Sequence, residues 1–133
     1  MEVKITYKEI LDFIEKRFRI RPVLTSINEK NIEVSYKPAM FMPAIGIKFR
    51  IEEIGNNNIC ISYECGTAAA LILAGAVTYL KENIPNGIKV NTNEQKIDIR
   101  LKEFKQIEKV LEYAILSDIT FCDNSINAEL RMA

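Results

Sequence analysis

Residues 66–80 read Gly66-Thr-Ala-Ala-Ala-Leu-Ile-Leu-Ala-Gly-Ala-Val-Thr-Tyr-Leu80, fifteen positions without a charge within the longest uncharged stretch of the chain. A surface helix keeps a charged face for water. This stretch has none, so a helix formed here must be covered over most of its circumference by a sheet, a ligand or another subunit. At 100° per residue the run divides into two faces. Ala69, Leu73, Val77 and Leu80, flanked by Ile72 and Ala76, make an apolar stripe suited to a sheet. Thr67, Ala68, Leu71, Gly75 and Thr78 make a second face of mostly small residues, which another backbone can approach closely. Glycine inside a helix costs about 1 kcal/mol relative to alanine, so Gly75 calls for a packing reason.

Around this run the pattern alternates between helical and extended periods. Thr6-Tyr-Lys-Glu9 is a capping box, and Ile10, Leu11, Ile14 and Phe18 share a helical face, predicting a helix to about Arg17. Residues 20–27 and 32–37 flank the turn-rich Asn28-Glu-Lys-Asn31 as a first hairpin. In the second, Ile45, Ile47, Phe49 and Ile51 alternate with polar positions, Gly55-Asn-Asn-Asn58 turns, and Ile59, Ile61, Tyr63 and Cys65 return. The uncharged helix, 66–82, is stopped by Pro85-Asn-Gly87. A third hairpin pairs 88–91 with 96–101. A helix then begins near Lys102 with Phe104, Ile107, Val110, Leu111 and Ala114 as its stripe, and a last hairpin pairs 117–122 with 126–132. The expectation is a single α+β domain over residues 1–133: three helices and a mostly antiparallel, curved sheet of about six to eight strands, ordered α-ββ-ββ-α-ββ-α-ββ.

Charge and cysteine content narrow the function classes. Eighteen basic and eighteen acidic residues cancel, so no global field draws nucleic acid or an anionic membrane, and little charge opposes self-association. The N-terminus lacks the apolar segment of a secretory signal, and fifteen uncharged residues fall short of the roughly 20 that span a bilayer. Three cysteines without metal-site spacing fit a reducing compartment and a cytoplasmic location. Cys60 and Cys65, on one strand, would stand about 17 Å apart, too far to bridge.

The chain contains no histidine and no glycine-rich phosphate loop, which removes Ser-His and Cys-His pairs and most zinc sites. Neither a catalytic residue, a metal nor a cofactor is assigned. Cys65 at a strand–helix junction is a candidate nucleophile if the helix N-terminus lowers its pKa; otherwise it continues the apolar row of Ile59, Ile61 and Tyr63. Asp98 between Lys96 and Arg100 reads as a charge ladder, and Glu52-Glu53 as a solvated strand end. In Lys16-Arg-Phe-Arg-Ile-Arg21, the arginines 17, 19 and 21 share a face if the segment is extended. Between two prolines, Met40-Phe41-Met42 is either a flexible apolar patch or a plug folded over the core.

These observations point to a non-catalytic binding domain for an apolar or amphipathic small molecule, using Met40, Phe41, Met42, Thr67, Ala68, Leu71, Gly75 and Thr78. The alternative is an interaction protein that forms a homodimer through the uncharged helix. A cysteine-dependent enzyme using Cys65 is the third reading.

Overall fold

The capping box forms as its spacing predicts. Thr6 Oγ1 accepts from the Glu9 backbone N–H at 3.1 Å, and the Glu9 carboxylate accepts from the Thr6 N–H at 3.4 Å. These bonds open helix α1 (Tyr7–Phe18), which closes on Arg19 in the left-handed conformation. The computed structural model describes residues 1–37, 40, 41, 43–67, 69–71, 74, 75 and 86–133. Among these, nine strands form two antiparallel sheets: β1 (Glu2–Thr6), β2 (Val23–Asn28), β3 (Asn31–Tyr36), β4 (Ile45–Gly55), β5 (Asn58–Cys65), β6 (Ile88–Asn91), β7 (Lys96–Arg100), β8 (Ala114–Phe121) and β9 (Ser125–Met132). The larger sheet has the order β2-β3-β4-β5-β7-β6 and the smaller β1-β9-β8.

The α+β class and the antiparallel hairpins follow the alternation of the sequence. The larger sheet is built on aligned apolar rows: Ile32–Phe49–Tyr63, Ile51–Ile61–Ile97 and Ile54–Ile59–Ile99. Its core meets α1 and the smaller sheet in a cluster of Tyr7, Ile32, Ile51 and Phe121, against which Ile10, Leu24, Ile119 and Ile126 pack. Burying each such side chain contributes about 1.5–3 kcal/mol.

Polar contacts fix how the two sheets meet. Tyr7 donates its hydroxyl to the Cys122 carbonyl at 2.6 Å. The β2–β3 turn reaches both sheets, since Glu29 O accepts from Phe121 N at 2.8 Å and Lys30 O from Ile51 N at 2.9 Å. The Lys30 ammonium binds the Asp118 carboxylate and donates to Ile119 O at 2.6 Å. In the β4–β5 turn, Asn56 and Asn57 both adopt left-handed backbone angles. The Asn57 side chain is buried and accepts from the Leu116 N–H at 2.9 Å.

The structure differs from the sequence reading in four places. Strand β1 is additional: Val3 and Ile5 alternate, but on an edge strand they remain largely exposed, so the pattern is short and weak. The strands divide between two sheets, because β8 and β9 pair with β1 and not with the larger sheet. The helix expected from Lys102 to Ala114 is broken into a 3₁₀ turn at Leu101–Glu103, an α-helical turn at Lys105–Glu108 and a second 3₁₀ turn at Val110–Glu112. Phe104 is extended there, with its ring in the space that a Cβ on Gly87 would need, and Ala114 instead pairs with Met132 at the start of β8. The basic run is not an extended face. Arg17 lies in α1 with its guanidinium 5.5 Å from the Phe13 ring centre, and Arg21 turns back to Asp12 and Glu15 at 2.9 and 2.7 Å.

Candidate functional site

Strand register brings the two expected apolar segments to one end of the larger sheet. Tyr36, the last residue of β3, faces Ile45, the first of β4, while Cys65 at the end of β5 faces Ile47. The 37–44 connection and the chain beyond Cys65 therefore leave the sheet about 7 Å apart along β4. Thr67, Ala69, Ala70, Leu71, Ala74 and Gly75 are helical, and Ala70 N donates to Gly66 O at 2.9 Å.

The described residues of this helix differ in exposure. Ala69 is 4% exposed, whereas Leu71 is 70% exposed and Thr67 and Gly75 are also on the surface. A Cβ placed on Gly75 would meet nothing within 4 Å among the described residues. In the 37–44 connection, Met40 is 93% exposed and Phe41 91%. These two are an apolar surface and not a plug over the core. Met42, Ala68 and Thr78 lie outside the described residues, as do Leu73, Val77, Leu80 and the expected helix end at 81–85.

The opposite, polar face of the same sheet contains the described cavities. One, of about 820 Å³, is bordered by Glu52, Glu53, Cys60, Lys89, Asp98 and Arg100, among others. It exists because β4 has a bulge between Ile51 and Glu53, which turns both Glu52 and Glu53 to the exposed side. The cross-strand pairs then set Glu53, Cys60, Asp98 and Lys89 side by side over β4, β5, β7 and β6. Burial and the facing Asp98 carboxylate push the Cys60 thiol up, so it stays protonated at neutral pH. Cavities of about 480 and 320 Å³ continue along this face past Lys48 and Glu64.

Sequence reasoning found the residues of both regions but not their grouping. Glu52-Glu53 and Lys96-Ile-Asp98-Ile-Arg100 are separate motifs in the chain and neighbours in the sheet. Among the described residues Asp98 makes no ion pair within 4.0 Å, with neither Lys96 nor Arg100 closing the expected ladder. Cys65 sits on the apolar row and borders the smallest cavity with Glu33, Lys48 and Glu64. All three cysteines are free, with Cys60 and Cys65 on one strand. Among the described residues no helix is long and apolar enough to cross a membrane, and no cluster has the make-up of a metal site. No protein-family model, curated protein or solved structure matches the chain.

Proposed function

We propose that the protein is a non-catalytic interaction protein that pairs with a second copy of itself through the apolar end of the larger sheet. The observation that carries this reading is the exposure of Met40, Phe41 and Leu71 on segments that leave the sheet at one end. Withdrawing large apolar side chains from water contributes about 1.5–3 kcal/mol each. Open space around Gly75 allows a partner backbone to come close, and zero net charge leaves little repulsion between copies. A site for an apolar small molecule, by contrast, is concave and mostly apolar, while the described cavities are bordered mainly by charged and amide side chains. As part of the same reading, we assign the protein to the cytoplasm, where its free cysteines remain reduced, and give it no nucleic-acid partner.

Charge insertion tests the proposal. Phe41→Glu and Leu71→Glu should each convert a dimer into a folded monomer in multi-angle light scattering, with an unchanged circular dichroism spectrum. Retention of the dimer in both variants would refute this surface as the interface. Wild-type monomers that bind fatty acid or a hydrophobic dye, with binding lost in Phe41→Glu, would favour the small-molecule alternative.

A further inference from the structure

We infer that the cavity on the polar sheet face is a binding site for a short zwitterionic peptide, held by its two charged ends. Cross-strand register places Glu53, Cys60, Asp98 and Lys89 in one row, with Arg100 two residues beyond Asp98 on β7. Elsewhere among the described residues some neighbouring opposite charges close into ion pairs, as in Lys8–Asp12, Arg21–Glu15 and Lys30–Asp118, whereas the cross-strand partners Glu33, Lys48 and Glu64 do not. In this row none closes: among the described residues Glu53, Asp98, Lys89 and Arg100 form no ion pair within 4.0 Å, although Lys89 is the direct cross-strand partner of Asp98. Beside the neutral Cys60 thiol, Glu53, Asp98, Lys89 and Arg100 border one concavity, together with Glu52, whose carboxylate is engaged by Arg50 and Ser62.

The spacing selects the ligand. Arg100 on β7 and Glu53 on β4 flank β5, so their columns stand about 10 Å apart. The ammonium and carboxylate of an extended tripeptide are also separated by about 10 Å. The carboxylate end would lie on Arg100 and Lys89, where a guanidinium offers paired donors, and the ammonium end on Glu53, with Asp98 accepting from a peptide N–H. A volume of about 820 Å³ accommodates a molecule of this size.

The test is titration of the ¹⁵N-labelled protein with trialanine, read by amide chemical shifts. Binding at millimolar concentration or tighter is expected, with shifts centred on Cys60, Asp98 and Arg100 and protection of Cys60 from alkylation. N-acetyl-trialanine amide, which lacks both charges, should leave those amides unmoved. Arg100→Gln should weaken trialanine binding by about fivefold or more, and Glu53→Gln likewise, with spectra that remain dispersed. Absence of shifts up to tens of millimolar would overturn the inference. Equal binding of the blocked peptide, or equal shifts from acetate alone, would also overturn it. Because Phe41 and Leu71 lie outside the cavity lining, Phe41→Glu should bind trialanine as the wild type does, which separates this site from the self-association surface.

Discussion

Asn57 combines two demands at one position. Its backbone is left-handed, at φ 62°, and its side chain, 2% exposed, accepts the Leu116 N–H. Glycine would satisfy the first demand and alanine neither. Asn57→Gly should cost about 1–3 kcal/mol, for a buried N–H left unsatisfied. Asn57→Ala should cost about 1 kcal/mol more, because the strained backbone remains. Chemical denaturation orders the two, and equal losses would show that the backbone angle carries no strain. The turn at Gly55–Asn58 was legible from its residue types, but the anchoring of the smaller sheet by Asn57 was not. That contact spans 59 residues and leaves no local pattern.

Lys30 and Asp118 supply a pH-dependent contact at the same scale. The hydrogen bond from Lys30, helped by its charge, holds the Asp118 carboxyl below its ordinary value. A carboxyl depressed in the folded state stabilises the fold above its unfolded pKa of about 4 and loses that contribution as pH falls through its lower folded value. Both side chains are more than a third exposed, so solvent screening limits the effect to about 1 kcal/mol. Lys30→Gln should therefore differ from wild type most at neutral pH, and the difference should shrink below about pH 4. A constant gap across that range would show that the Lys30 bond to Ile119 O, and not the ion pair, carries the stability.

Among the elements, the hairpins were the most legible, because alternation and turn chemistry are both local. Ile45–Ile51 and Ile59–Cys65 announce their faces within a few residues. The segment after β7 shows where that reasoning fails. Phe104, Ile107 and Leu111 have helical spacing, yet Phe104 is drawn into extended backbone over Gly87, and the chain proceeds through separate short turns. A Cβ on Gly87 would stand 2.5 Å from the Phe104 ring and 2.8 Å from Arg100 O. The ring can move, whereas the carbonyl belongs to β7 and also flanks the bond from Arg100 N to Gly87 O. Gly87→Ala should consequently cost about 1–3 kcal/mol by overpacking, measured as a lower denaturant midpoint. No loss would mean that the 101–113 turns repack freely.

At the scale of the whole molecule, one sheet presents two unlike surfaces. Its apolar face is closed at one end by α1 and the smaller sheet, through Tyr7 and Phe121. Its other end carries Met40, Phe41 and Leu71 into solvent, and its polar face carries charged side chains of both signs around a concavity. Residue type alone marked the apolar segments in the sequence. Their meeting at one end depends on the β3–β4–β5 register, and the joining of Glu53 to Asp98 depends on the β4 bulge and the β5–β7 pairing. Neither long-range pairing is written in a local period.

Sedimentation equilibrium of the wild-type protein over a wide concentration range reports directly on self-association through the apolar end. A monomer–dimer equilibrium is expected, with twice the 15.2 kDa chain mass approached at high concentration. A single monomeric species at every concentration would contradict it.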